Sequence, residues 1–272
     1  MNYHSDEWIM NEVKEHYTES LAYFKPNQIV GIFYQGSGNY GLDYENSDVD
    51  TKLILTPSLK DIVFNKKPAS TTHVRANDSH TDWKDIRLYI NTFRKQNLNF
   101  LEILFTKYRS INYHYLPYWK TLEIHREEIA HYNPYAAVKA MKGVAMEKYH
   151  ALQHEYPSKI EQLKKYGYDF KQLHHLLRVE DYLERYINGE KYENCLIPLN
   201  TDYLLAVKRG LYHVDDAVKI AEESMNHILQ LSEDFCDKTP NKGDPKVDEI
   251  LDMVQWNIMR FAVKDELERT GD

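Results

Sequence analysis

The stretch that decides the fold of this chain reads GSGNYGLDYENSDVD and covers residues 36–50. It follows the apolar run IVGIFY, residues 29–34, and precedes TKLIL, residues 51–55. Both runs are short and rich in β-branched or aromatic residues, so we predict strands over about 28–34 and about 48–55. The glycines between them suit a tight turn whose backbone can approach a ligand closely.

Two aspartates mark the start of the second predicted strand. Side chains alternate along a strand, so Asp48 and Asp50 share one face while Val49 packs behind them. Neighbouring carboxylates repel each other unless a cation lies between them. Their hard oxygen atoms favour Mg²⁺, with Mn²⁺ as the substitute. The pair therefore predicts a metal site, and the alternative from these residues alone is a solvated strand end.

Composition limits the class of protein. Of the 272 residues, 42% are hydrophobic and 28% are charged, and the formal net charge is −8. These values are typical of a globular protein with one large domain or two modest ones. The negative charge argues against a protein that coats nucleic acid through bulk electrostatics, but it is compatible with a local basic groove.

Cysteine usage and apolar runs bear on the compartment. Cys195 and Cys236 form neither a metal-ligand spacing nor a disulfide framework, which favours a reducing environment. The first residues lack a basic segment followed by an apolar core, and no run reaches the roughly 18 apolar residues that cross a membrane. We therefore expect a cytoplasmic protein without a membrane partner.

Apolar spacing predicts the elements outside the two strands. Residues 81–90 alternate in part and predict a third strand with Asp85 near its start, whereas the polar residues 66–78 predict a loop. From Ile90 to Leu104 the spacing becomes helical. Further helices are predicted over about 6–24, 57–64, 134–154, 170–188, 214–236 and 246–268.

The second half of the chain is predicted to be helical almost throughout. Asn133-Pro134 and Asp169 are typical helix starts, because proline is tolerated in a first turn and aspartate caps it. The expected fold is α+β. A small mixed-sheet domain with flanking helices covers residues 1–115, and a helical domain covers residues 116–272.

A third carboxylate is expected beside the aspartate pair. Metal-assisted phosphoryl or nucleotidyl transfer uses two ions roughly 4 Å apart, bridged by carboxylates that face the substrate phosphates. Asp85 on the third predicted strand fits this requirement in kind and order. Asp82, three residues earlier, is the alternative.

The glycine turn and the aspartate pair together resemble a known motif. Gly36-Ser37, Gly41 and the run SDVD at 47–50 are similar to the motif of the DNA polymerase beta nucleotidyltransferase superfamily. In that motif a Gly-Ser pair is followed, after about ten residues, by Asp-hydrophobic-Asp. The resemblance covers about residues 29–90 and implies a mixed sheet with flanking helices.

The same resemblance implies roles for individual residues. It assigns Asp48 and Asp50 to both metal ions and Asp85 to the catalytic ion. It assigns Gly36 and Ser37 to the triphosphate. These roles agree with the chemistry, since backbone amides of a glycine turn and a serine hydroxyl can both donate to anionic oxygens.

Three further segments resemble the RNA repair pathway branch of that superfamily. QNLNFLEILF at 96–105 is similar to its Asn-Pro-x-x-Leu-Glu-x-Leu stretch, with Leu98 in place of the usual proline. YGYDFK at 166–171 and LAVKRG at 205–210 also match segments of that branch. The resemblance outside these motifs is weak.

The branch also implies a basic helical face. Lys171, His175 and Arg178 follow its pattern, and their spacing of i, i+4 and i+7 puts them on one face of a helix. We expect this face to meet the triphosphate or the acceptor. An ordinary solvated face is the alternative.

The resulting functional hypothesis is a nucleotidyltransferase that uses two Mg²⁺ or Mn²⁺ ions. It would transfer a nucleoside monophosphate from an NTP, most simply ATP, to a hydroxyl and release pyrophosphate, with Asp85 helping to activate that hydroxyl. The resemblance favours an RNA end as acceptor. The alternatives are a protein-modifying AMP-transferase and a non-catalytic nucleotide-binding module.

Overall fold

A single mixed sheet organises the first half of the chain. The computed structural model describes residues 3–45 and 47–270. In this part of the chain the strands are β1 Ile29–Gln35, β2 Asp50–Leu55, β3 Ser70–Val74, β4 His80–Asp85 and β5 Arg109–Ile111. They pair in the order β3-β4-β2-β1-β5, with β2 and β4 parallel and the other neighbouring pairs antiparallel.

Helices make up most of the remaining described chain. They are α1 Asp6–Ser20, α2 Leu59–Val63, α3 Ile86–Arg94, α4 Leu98–Leu101, α5 Leu116–Ile124, α6 Arg126–Ala130, α7 Pro134–Ala151, α8 Ile160–Tyr166, α9 Phe170–Ile187, α10 Tyr192–Cys195, α11 Thr201–Lys208, α12 Val214–Cys236 and α13 Pro245–Thr270. Among the described residues, no helix has both the length and the apolar character that a membrane span requires. The predicted α+β class with a mixed sheet is confirmed.

The chain divides into two units at positions that differ from the expected boundary. The sheet-bearing unit holds Met1–Tyr132 and Gly243–Asp272, and the helical unit holds Asn133–Lys242. Helices α5, α6 and α13 thus belong with the sheet. Within that unit the Arg94 guanidinium of α3 donates to Asp248 of α13 at 2.7 Å. A helical pattern shows that one face of α13 is buried, but not which partner buries it.

Helix α1 covers one face of the sheet. Val49, with only 3% of its surface exposed, belongs to the apolar cluster between them, so it packs behind Asp48 and Asp50 as predicted. Burial of one such aliphatic side chain contributes about 1.5–3 kcal/mol. The buried members of this cluster are Ile9, Val13, Ile29, Ile32, Tyr34, Val49, Leu53, Leu55 and Tyr108.

The region after the second strand differs from its prediction. β3 is a largely exposed edge strand of mostly polar residues, and it lies where a loop is predicted. Asp85 ends β4 rather than beginning it. Helix α3 starts at Ile86 instead of Ile90, because the Asp85 carboxylate accepts the backbone N–H of Arg87 at 2.8 Å and caps the helix.

Two helices of the helical unit begin where the sequence predicts. Asn133 caps α7 by accepting the N–H of Ala136 at 3.1 Å, and Asp169 caps α9 by accepting that of Lys171 at 2.8 Å. Helices α7, α9 and α12 pack against one another. Both predicted helix starts are confirmed.

Candidate active site

A buried tyrosine shapes the glycine turn. The N–H of Gly38 donates to the Tyr34 hydroxyl at 2.9 Å. Gly36 has a φ of +154°, and a Cβ added there would lie 2.7 Å from the same hydroxyl. A side chain at Gly36 is therefore excluded both by backbone conformation and by space. The predicted tight turn is confirmed, and its close neighbour within the fold is the Tyr34 ring.

The strand register brings this turn to the aspartate pair. Gln35, the last residue of β1, lies opposite Asp50, the first residue of β2. Ser37 and Ser47 place their hydroxyl oxygens 3.3 Å apart. The serine of the Gly36-Ser37 pair thus contacts Ser47, the residue before Asp48. Sheet pairing and this contact together place the predicted phosphate-binding turn beside the predicted metal ligands.

The two aspartates affect each other electrostatically. Burial raises the pKa of Asp50, and the negative charge of Asp48 raises it further. His80, beside Asp50 on β4, opposes this by donating its backbone N–H to Asp50 Oδ1 at 2.8 Å, with its ring Nδ1 at 3.2 Å. The environment therefore disfavours the charged form of Asp50, and a cation at the pair would relieve this effect.

Asp85 does not join this pair, and its expected placement is wrong. It pairs with Leu55, five residues along the parallel register from Asp50, which corresponds to about 17 Å. Because side chains alternate along a strand, Asp85 also lies on the opposite face of β4 from Asp82, three residues earlier. Both of its oxygens are engaged by Arg87, Oδ1 by Nε at 2.9 Å and Oδ2 by Nη2 at 2.7 Å. Asp85 caps α3 and binds Arg87.

Asp82 is on the correct face and closer to the correct end. It pairs with Lys52, two residues from Asp50, and accepts a hydrogen bond from the Lys52 ammonium at 2.5 Å. The Thr72 hydroxyl donates to its other oxygen at 2.6 Å. Burial alone would raise the pKa of Asp82, but Lys52 and Thr72 together lower it. Of the two candidates, the geometry favours Asp82 as the third carboxylate.

A complete metal-binding cluster is not assembled in the part of the chain that the structure describes. Within residues 3–45 and 47–270, no three His, Cys, Asp or Glu side chains lie close enough together to hold an ion. Asp48 and Asp50 are the two that come together, and their carboxylate oxygens are the donors that Mg²⁺ prefers. The pair therefore fits a divalent cation in chemistry, while a third ligand requires movement of a neighbouring side chain.

The sequence reasoning missed two lysines on this face. Lys52 follows Asp50 by two residues, and Lys84 follows Asp82 by two residues, so strand alternation places all four side chains on one side of the sheet. Alternation from Asp50 was the available signal for Lys52. Lys84 required the pairing of β2 with β4, which the sequence does not reveal.

The predicted basic face lies on α9, in the helical unit. Burial lowers the pKa of His175 well below its usual range, and the charge of Arg178 lowers it further, so the ring is neutral near pH 7. Lys171, on the same helix, is exposed. The expectation that these three residues meet the substrate of Asp48 and Asp50 stays a prediction.

Comparisons with known proteins add little to this picture. No family model matches the chain, and no curated protein matches it. Among solved structures, it is similar to a nucleotidyltransferase-like protein from Exiguobacterium sibiricum 255-15. The identity is 12% and the TM-score 0.32, over 85% of this chain and 77% of the other. This likeness is too low to carry a functional argument, so function must be inferred from the site itself.

Proposed function

We propose that this protein is a metal-dependent nucleotidyltransferase. One observation carries the proposal: the sheet register and the contact of Ser37 with Ser47 place the glycine turn beside Asp48 and Asp50. A backbone turn suited to phosphate oxygens and a carboxylate pair suited to Mg²⁺ are the two components that this reaction needs. Their proximity supports the motif resemblance on independent grounds.

Each residue of the site has a specific task in this reaction. Asp48 and Asp50 would hold Mg²⁺ or Mn²⁺, two ions in the complete site, which supply positive charge to the phosphates and favour deprotonation of the acceptor hydroxyl. The Ser37 hydroxyl and the amides of the turn would donate hydrogen bonds to the triphosphate. His80 holds Asp50 in position through its backbone N–H. Asp82 takes the part of third carboxylate that the sequence assigned to Asp85.

The reaction balances as a single displacement at phosphorus. The acceptor hydroxyl oxygen forms a bond to the α-phosphorus of the nucleotide, and the bond from that phosphorus to the pyrophosphate oxygen breaks. The hydroxyl proton leaves to a carboxylate or to water. ATP as the nucleotide and an RNA end as the acceptor rest on the resemblance, as does the contact of Lys171, His175 and Arg178 with either of them.

A second candidate is transfer of AMP to a protein hydroxyl. The formal net charge of −8 favours it, because an acidic protein attracts an RNA acceptor poorly at long range. A non-catalytic nucleotide-binding module is the third reading. It is favoured by the finding that a three-residue metal cluster is not assembled among the described residues.

One labelling experiment separates these functions. The full chain is incubated with each NTP labelled at the α-phosphate, Mg²⁺ or Mn²⁺, and total cellular RNA and protein. We expect label from ATP in the RNA fraction, release of pyrophosphate, and loss of both in Asp48→Asn. Label in protein would instead establish the AMP-transferase. Nucleotide binding without pyrophosphate release would overturn the catalytic proposal.

A further inference from the structure

Two lysines and one aromatic ring form a cationic cluster on the sheet face that carries Asp50. The Nζ atoms of Lys52 and Lys84 lie 4.5 Å and 4.4 Å from the centre of the Phe100 ring. The two ammonium groups are therefore within about 9 Å of each other. Trp83 packs towards α1 on the opposite face, which confirms the direction of Lys84. We refer to Lys52, Lys84 and Phe100 as the lysine cluster.

The lysine cluster and its neighbour Asp82 together carry a net positive charge. Lys52 is buried, with 4% of its surface exposed, and Asp82 offsets its charge. Lys84 is half-buried, and within residues 3–45 and 47–270 its ammonium has neither a hydrogen bond nor an ion pair. The ammonium lies over the ring face of Phe100, 4.4 Å from its centre. A cation–π contact is a weak substitute for a counter-ion, and it leaves the outer side of the ammonium open to a ligand.

The electrostatics of Lys84 agree with this description. Lys52 and Lys84 lie over the same ring, and Asp82 is ion-paired with Lys52. Two ammonium groups thus share one carboxylate in a partly desolvated place. An additional anion would stabilise both lysines in their charged forms.

We propose that Lys52 and Lys84 bind a phosphate group of the substrate. This inference rests on the proposed function and extends it. The lysine cluster lies along β2 and β4 from Asp50, about 7 Å away at Lys52 and about 13 Å away at Lys84 measured along the strands. One substrate can therefore place a metal-bound phosphate at Asp50 and a second phosphate at the lysines.

The chemistry of the lysine cluster favours phosphate over other anions. Lysine binds phosphate as a point charge with three donors, and two such groups around one oxygen-rich anion need no planar geometry. Phe100 restricts both side chains, which reduces the entropy lost on binding. Two sources supply this chemistry, the polyphosphate of the nucleotide and the phosphodiester of an RNA acceptor.

Binding measurements without turnover test the inference and separate the two sources. The full chain is titrated with Mg²⁺-ATP in one arm and with a single-stranded RNA oligonucleotide in the other. Lys84→Met removes the charge but keeps the stem, Lys84→Arg restores the charge, and Lys67→Met is the matched control at an exposed lysine of the same unit. Thermal unfolding confirms that each variant is folded.

We expect Lys84→Met to weaken binding about tenfold or more in one arm, Lys84→Arg to recover most of it, and Lys67→Met to leave both unchanged. If RNA binding is weakened, the slope of log affinity against log salt should also become less steep, by about the amount that one phosphate contact contributes. The inference is overturned if Lys84→Met matches Lys67→Met in both arms.

The same data distinguish failure of this inference from failure of the proposed function. If the wild type transfers label and Lys84→Met binds both titrants normally, only the role of the lysine cluster is refuted. If the wild type binds neither titrant and transfers no label, both this inference and the proposed function are refuted.

Discussion

Gln35 and Asp50 lie opposite each other across the antiparallel pair of β1 and β2. The chain leaves the sheet immediately after Gln35, forms the glycine turn, and re-enters at Asp50. Neighbouring strands are roughly 5 Å apart, so a ligand the size of a phosphate can touch both ends of this loop. The pairing of Gln35 with Asp50 therefore brings the glycine turn and the aspartate pair, which are separated in the sequence, together at one site.

Asp50→Asn should strongly reduce transfer while slightly stabilising the ion-free protein. The substitution removes repulsion from Asp48, and because Asp50 is part-exposed the gain should stay below about 1 kcal/mol. Transfer should fall at least about a hundredfold, since the carboxylate would hold the ions. Thermal unfolding with and without Mg²⁺ provides the independent readout.

In that measurement Mg²⁺ should raise the melting temperature of the wild type but not of Asp50→Asn. Glu249→Gln, an exposed acid on α13, makes the same charge change away from the site and should behave like the wild type. Equal stabilisation of all three proteins by Mg²⁺ would refute a metal site at Asp50.

Asp85→Asn should keep transfer, whereas Asp82→Asn should lose it. Asparagine at 85 still caps α3 but weakens the bond to Arg87, so we expect a loss of about 1 kcal/mol in stability. Asparagine at 82 leaves the buried Lys52 without its counter-charge, which should cost about 3 kcal/mol. Label transfer is compared at a temperature where circular dichroism shows both variants folded. Loss of transfer in folded Asp85→Asn would instead show that Asp85 takes part in the reaction.

Gly36→Ala should disrupt the turn. The new Cβ would meet the Tyr34 hydroxyl at 2.7 Å in a backbone conformation that other residues avoid, so we expect a loss of about 1–3 kcal/mol and weaker nucleotide binding. Gly143→Ala is the matched control. It lies within α7 with open space around it, and alanine there should stabilise by about 0.5–1 kcal/mol. Urea unfolding measures both changes, and a neutral Gly36→Ala would contradict the close packing on Tyr34.

Stability should decrease as the pH falls from about 6.5 towards 4. Burial, with a smaller effect of the Arg75 charge, lowers the pKa of His16 to about 4, and its Nδ1 lies 2.9 Å from the hydroxyls of Thr51 and Thr81. The unfolded chain, with a histidine pKa near 6.5, binds the proton more tightly in this interval. The contribution of neutral His16 to the free energy of unfolding is complete above about pH 6.5 and decreases as the pH falls through this window. At pH 5 the loss is about 2 kcal/mol.

Urea midpoints of the sheet-bearing unit at pH 7 and pH 5 check this dependence. His16→Gln keeps a side chain that can hydrogen-bond but does not titrate, so its stability should change less between the two pH values. His174, whose pKa burial lowers to about 3, adds a similar dependence in the helical unit and remains in both proteins. An identical pH response in wild type and His16→Gln would exclude His16 as a source.

Local signals accounted for much of the fold. Strand β1, the glycine turn and the burial of Val49 follow from residues 29–50 alone, because alternation and turn chemistry act over a few positions. The capped starts of α7 and α9 follow for the same reason. β3 was missed because a polar edge strand has no apolar alternation, and β5 was missed because three residues carry no pattern.

By itself the sequence determined the strand–turn–strand unit at 29–55 and the burial of Val49, since both depend on neighbouring residues, whereas β2 begins at Asp50 and leaves Asp48 just outside the strand. The tertiary structure decided which distant residues join them. The parallel register of β2 with β4 set Asp85 aside, brought His80 and Asp82 to the site, and placed Lys84 with Lys52 around Phe100. A shift of one residue in that register would turn every β4 side chain to the other face, and no local pattern specifies it.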